Sequence, residues 1–257
     1  MKSLTKYQST NKIYLLLLFP VIGILLFAVI GIMDKAQSVA EMKRVERLAK
    51  LTTKISALVH ETQIERGETS VYISSQGARF HAELLSQHNT TDILSRQVLF
   101  LLNEFEGNDY GPEFHSSRQG VADALENISI IRANTLSLKI PLQEAIDYYS
   151  NLNAKFLNLI AITPKLTDDA NIAIISTAYV NLLKGKERAG IERAIIGGFF
   201  SSGLISPALS LKVISLSAEQ QMYFENFTLS ALPSYVSLYQ KVESSDYSKN
   251  VSRIRQT

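Results

Sequence analysis

The sequence predicts an all-α protein: an N-terminal transmembrane helix followed by antiparallel helical bundles. Three observations carry this reading. Residues 13–33 run without a charge, the rest of the chain repeats its apolar side chains at three- and four-residue steps, and no segment alternates for long beside hairpin turns. The breaks between periodic stretches are short, which makes neighbouring helices antiparallel.

The elements follow in order. Residues 1–12 read as a cytoplasmic N-terminal segment carrying Lys2, Lys6 and Lys12 and no acid. The run Ile13–Met33, IYLLLLFPVIGILLFAVIGIM, spans roughly 30 Å as a helix, the thickness of a bilayer core. A cleaved signal peptide has an apolar region of only about 7–15 residues and a small-residue cleavage site, so an uncleaved anchor is expected. Lys35, Lys43, Arg44, Arg47 and Lys50 crowd the other flank, and charge counting alone does not fix the orientation. Long domains translocate largely regardless of charge, so an N-in, body-out arrangement is expected.

The body, residues 34–243, opens with an apolar stripe through Leu48, Leu51, Ile55, Leu58, Val59 and Thr62. Breaks rich in Gly, Pro, Asp, Asn or Ser fall at Ser74–Gly77, Gly107–Pro112, Ile140–Pro141, Thr163–Asn171 and Ser201–Pro207. They divide the chain into helices at about 13–74, 77–106, 113–138, 141–162, 169–200, 207–230 and 232–243. Pro141 and Pro164 suit first turns, and Asp168 or Asp169 suits an N-cap. The tail 244–257 is polar and reads as frayed or linker-like.

Composition excludes several chemistries. There is no cysteine, which removes disulfides, thiolate metal sites and cysteine nucleophiles. Taking the three N-terminal lysines from 26 basic residues leaves 23 against 24 acidic ones in residues 34–257, so the body lacks the field of a nucleic-acid binder. No nucleic-acid partner is expected on that ground. His60-Glu61 begins like a zinc-protease motif, but position 64 is Ile; His81 and His88 share a face without nearby carboxylates at ligand spacing. No metal and no cofactor is expected. Nucleophile-elbow, P-loop and dinucleotide glycine patterns are missing, and an enzyme is not expected.

Two charged segments stand out, QIERGETSVYIS at 63–74 and KGKERAGIERAIIGGFF at 184–200. Stepping the first stripe forward by four residues from Thr62 brings Arg66 to the core-facing side. In the second segment the stripe Leu182, Leu183, Ala189, Gly190, Ala194 and Gly197 takes in Lys186 and Arg193, while Arg188 points outward or pairs with a neighbouring helix. Gly67, Gly77, Gly185, Gly190, Gly197 and Gly198 point to close packing or ligand access. An inward guanidinium needs a partner. Glu65, Glu187 or Glu192 would make it a salt bridge; two arginines facing one pocket would instead hold a planar oxyanion by bidentate hydrogen bonds.

The set Gln63-Ile-Glu65-Arg66-Gly67-x-x-Ser70, Gln87-x-x-Thr90-Thr91-Asp92, Arg132, Tyr149 and Lys186-Glu187-x-x-Gly190-x-Glu192-Arg193-Ala194 resembles the nitrate- and nitrite-sensing (NIT) domain family, of the membrane-anchored sensor and chemoreceptor type, over roughly residues 45–240. The resemblance implies two stacked helical bundles that bind nitrate or nitrite and signal to an output module or partner protein. It implies Arg66 and Arg193 as ligand-binding residues, with Lys186 in support, Gly67 and Gly190 leaving room, and Arg132 at a family position, either supporting the ligand or in a structural role. The expected protein is an extracytoplasmic sensor acting through helix rearrangement, as a homodimer. Phe199 and Phe200 are expected in the core. The alternative is a helical scaffold that binds another protein and whose Glu-Arg pairs are structural.

Overall fold

The computed structural model describes residues 2–105, 110–202 and 207–256 and is helical almost throughout. The helices are α1 Lys2–Ser74, α2 His81–Asn103, α3 Gly111–Glu126, α4 Ile128–Leu136, α5 Leu142–Ile162, α6 Ala170–Ser202, α7 Pro207–Ser230, α8 Pro233–Glu243 and α9 Asp246–Gln256, with a 3-10 turn at Thr163–Leu166. The chain divides into two compact units, residues 1–48 and 49–257.

The first unit is helical from Lys2, so α1 begins before residue 13, where the sequence pattern places its start. The side chains of Lys2, Lys6 and Lys12 lie outside the described residues. From Leu18 to Met33 the described apolar side chains are exposed on every face, Phe19 and Phe27 by 83% and 80%. A helix apolar all round has no inside, and this one is long and apolar enough to cross a membrane.

In the second unit Leu51, Ile55, Leu58, Val59 and Thr62 of α1 are buried, as the stripe predicts. Two groups of helices share α1 and α5. One core cluster gathers Tyr72, Ile73, Leu84, Ile140 and Ala145, with Ile131, Leu136 and Leu142 against it. The other gathers Ile146, Ile191, Ala194, Ile195 and Leu216, with Leu142, Leu209 and Val213 alongside. Leu142 borders both, so α5 is the wall between them. At the end of α2, Phe105 stacks with Tyr110 and Phe114 at centroid distances of 4.9 and 5.5 Å.

Local chemistry sets the ends. After α1 the chain turns through Gly77 at φ +80°, and Phe80 takes a left-handed conformation, which delays α2 to His81 instead of the expected 77. The single helix expected over 113–138 is two, because the Asn127 amide donates to the Asp123 carbonyl and competes with the helical ladder. Asp169 caps α6, accepting from the amides of Asn171 and Ile172 at 2.8 and 3.1 Å. Pro164 sits in the first turn of the 3-10 segment, while Pro141 is the extended N-cap of α5. The expected breaks near 107–112 and 201–207 include residues 106–109 and 203–206, which lie outside the described residues. The tail is not a frayed linker: α9 is formed over Asp246–Gln256.

Glycines on α6 permit its close approach to two neighbours. A Cβ on Gly185 would lie 2.5 Å from the Phe224 ring of α7, and one on Gly198 would lie 2.9 Å from Ser70 Oγ of α1. Ser70 uses that proximity to donate to the Ala194 carbonyl at 2.6 Å. Gly67 meets nothing within 4 Å at the same test, so its role is not close packing. Phe199 lines a small apolar pocket with Leu142, Ile146, Ile195 and Leu209, whereas Phe200 is 73% exposed and not a core residue.

Candidate anion site

The candidate site lies where α1 and α6 cross. Arg66 is fully buried, and the sequence places it correctly on the inward face. Its Nη1 donates to Glu187 Oε1 at 2.5 Å and to Ser150 Oγ at 3.0 Å. Glu187, itself buried, also accepts from Gln63 at 2.7 Å and from Asn153 at 3.1 Å, and Asn153 is held by Thr62. The carboxylate is therefore fully engaged, as a buried charge must be. The Nε of Arg66 is buried without a hydrogen-bond partner.

A second buried carboxylate lies one residue away. Glu65 accepts from Arg132 Nε at 2.8 Å and Nη2 at 3.0 Å, and from Tyr149 Oη at 2.6 Å. Arg132 also donates to Asp92 at 2.6 Å. These bonds join α1, α2, α4 and α5, so Arg132 is a structural residue and not an open ligand group. Burial first, then Glu65, drives the Tyr149 phenol well above its usual range, which keeps it a donor. His88 packs against the same carboxylate at 3.6 Å, and His81 stacks on Tyr72 at 5.8 Å.

Lys186 and Arg193 depart from expectation. Both are exposed, not inward. The seam that meets α1 runs through Leu183, Glu187, Gly190 and Ala194, all buried, and leaves Lys186 and Arg193 about 100° to one side on its rim. Among the described residues Arg193 has no hydrogen-bond or ion-pair partner. Loss of water around it and then repulsion from Arg66 lower its pKa, with Glu187 opposing, yet a guanidinium keeps its charge at neutral pH. Lys186 Nζ lies 3.3 Å from His60 Nδ1 of α1. Its pKa is lowered by desolvation and then by Arg193.

Gly190 joins the buried and exposed parts. A Cβ there would lie 2.7 Å from Arg66 Nη2 and 3.5 Å from Gln63, so the backbone of α6 rests directly against the guanidinium. Arg66 and Arg193 thus contribute one buried, paired cation and one exposed, unpaired cation to the same crossing. The third glutamate, Glu192, faces away from both and binds Arg255 of α9, whose Nε donates at 2.7 Å. Arg188 pairs with Glu219 of α7 at 2.6 Å and sits 5.7 Å from the Tyr223 ring, the outward ion pair the spacing anticipates.

His60 is the residue that sequence reasoning missed at this site. Its sequence signal is position: it lies seven residues before Gly67 and so shares that flank of α1. No cluster of three His, Asp or Glu side chains able to hold a metal occurs among the described residues.

Comparison with known proteins fits this architecture. Residues 57–257 match the family described as nitrate and nitrite sensing. Over 190 residues the chain is 27% identical to a nitrate regulatory protein of Klebsiella oxytoca, covering 74% of this chain and 48% of the relative. It spans about half the length of that relative. The structure of the NasR transcription antiterminator superposes with a TM-score of 0.78 at 23% identity, covering 89% of this chain and 62% of that one, and shows the fold. These findings correct the expected extracytoplasmic receptor, since the relatives are a regulatory protein and an antiterminator. With a family match over most of its length, the chain belongs to the nitrate and nitrite sensing family.

Proposed function

We propose that this chain is a non-catalytic regulatory module that binds nitrate or nitrite at the α1–α6 crossing. The observation that carries the reading is the unpartnered guanidinium of Arg193 beside a buried Arg66 whose charge is already met by Glu187. A small planar anion on Arg193 and Lys186 would approach Arg66 past Gly190, where no side chain intervenes. There it competes with Glu187 for the same guanidinium. Two arrangements of Arg66 follow, paired within the protein or shared with the ligand, and differential affinity between them is all that a sensor requires. Because Arg66 belongs to α1 and Glu187 and Arg193 to α6, the exchange alters the contact between these helices.

The apolar run of α1 serves in this proposal as a tether to a membrane or to another apolar environment. The module acts as a homodimer and passes its signal to an output region or partner of a regulatory kind, in keeping with the regulatory protein and the antiterminator it resembles.

Calorimetry of the full chain in lipid nanodiscs with sodium nitrate and sodium nitrite tests the reading. Arg193→Gln and Lys186→Gln should each weaken binding about tenfold or more, the scale of a lost hydrogen bond to a charged group. No heat up to about 10 mM anion, weaker than any physiological sensor requires, or unchanged binding by Arg193→Gln, would refute it.

A further inference from the structure

The rim of the crossing holds a third nitrogen group. His60 of α1 reaches across to α6, with Nδ1 3.3 Å from Lys186 Nζ. An ammonium has no lone pair and can only donate, so at this contact the ring accepts at Nδ1 and carries its hydrogen on Nε2. His60 is therefore neutral in the anion-free protein. The charged groups that act on it are Glu61 on its own helix and Lys186 and Arg193 on α6, with Glu187 acting on Lys186. Glu187 is consumed by Arg66, Gln63 and Asn153, and Glu61 accepts from Gln87 at 2.7 Å. Two cations without carboxylate partners thus stand over one neutral imidazole. Burial and Lys186 hold the ring below the usual histidine value, with Arg193 adding to them and Glu61 opposing.

We propose that His60 is the third arm of the anion site, and that binding of nitrate or nitrite takes up one proton from solvent onto its ring. The proposal rests on the reading that Arg193 and Lys186 receive the anion. A bound monoanion cancels the repulsion that keeps the imidazole neutral and draws the Lys186 ammonium away from Nδ1. The vacated nitrogen then protonates, and the imidazolium donates toward the anion. Proton uptake and anion affinity are linked, so affinity rises as pH falls between the His60 pKa with anion bound and its value without. Each unit by which the anion raises that pKa contributes about tenfold in affinity.

The test is calorimetry of the full chain in nanodiscs with sodium nitrate at two pH values, one above and one below the ordinary histidine range. A third pH between them, where proton uptake is largest, is run in two buffers of different ionisation heat, and wild type and His60→Gln are compared throughout. Wild type should bind about tenfold tighter at the lower pH, and its heat should vary with the buffer by up to one proton per anion. In His60→Gln both dependences should vanish while measurable binding remains. His60 is exposed, and thermal melting checks that the variant folds. Binding by wild type with no pH dependence and no buffer dependence overturns this proposal alone, as does a pH dependence that persists in His60→Gln. Absence of nitrate binding at both pH values overturns the site reading and this proposal with it.

Discussion

Arg132→Met removes a cation from a carboxylate that has no access to water. Glu65 is fully buried and accepts three hydrogen bonds, two of them from Arg132 at 2.8 and 3.0 Å and one from Tyr149 at 2.6 Å. The variant leaves only the Tyr149 bond, since His88 at 3.6 Å is beyond hydrogen-bond distance. Breaking a buried pair from one side costs about 3–5 kcal/mol, because the surviving charge stays desolvated. The other partner of Arg132, Asp92, is 41% exposed and regains water, so it adds little. At about 2–4 °C per kcal/mol for a domain of this size, the melting temperature should fall by about 10 °C. Far-UV circular dichroism with heat, and urea titration on the same samples, measure it. Glu65→Gln combined with Arg132→Met removes both charges and keeps an acceptor for Tyr149, so the double variant should melt above the single one. A loss under about 1 kcal/mol in the single variant, the range of an exposed pair, or a double variant no better than the single, would refute the reasoning.

Two further outcomes follow from the same structure. Gly190→Ala forces the Arg66 guanidinium, fixed by Glu187 and Ser150, away from a Cβ only 2.7 Å distant, and should cost about 1–3 kcal/mol in a urea titration; a neutral substitution would mean that α6 does not rest on Arg66. His88 is held below its ordinary pKa by burial, with Glu65 opposing and Arg132 adding repulsion, so the unfolded chain binds the proton more readily than the folded one. Its contribution to stability is therefore present above about pH 6.5 and lost as pH falls from there through the lowered folded value. His88→Gln should flatten the melting temperature over that window, and an unchanged slope would assign it to another group.

Much of the fold was legible in the sequence, and the site was legible in part. The α1 stripe through Leu51, Ile55, Leu58, Val59 and Thr62 has one residue type on one face, and four-residue steps from it reach the buried Arg66 without ambiguity. On α6 apolar and small residues surround the axis more broadly, and a stripe drawn through Leu182, Ala189 and Ala194 is wide enough to admit two registers. The register that packs is Leu183, Glu187, Gly190 and Ala194, which buries a glutamate and lifts Lys186 and Arg193 to the edge. A glutamate is an unlikely choice for a core position until its three donors are known, and these come from α1 and α5. The split at Asn127 and the helix at Asp246–Gln256 were hidden for a related reason. One depends on a side-chain bond within a helical pattern, the other on Arg255 finding Glu192 and Gln220.

That last contact ties α9 to a buried carboxylate of α6. Glu192 is the carboxylate adjacent in sequence to the unpaired guanidinium, and Arg255 occupies it in concert with Gln220. While α9 is docked, Glu192 is spoken for. Lifting α9 from α6 and α7 would leave this carboxylate buried without its cation, at a cost of about 3–5 kcal/mol. Docking of α9 is therefore held by the helix it covers, on a face of α6 turned away from the cations proposed to receive the ligand.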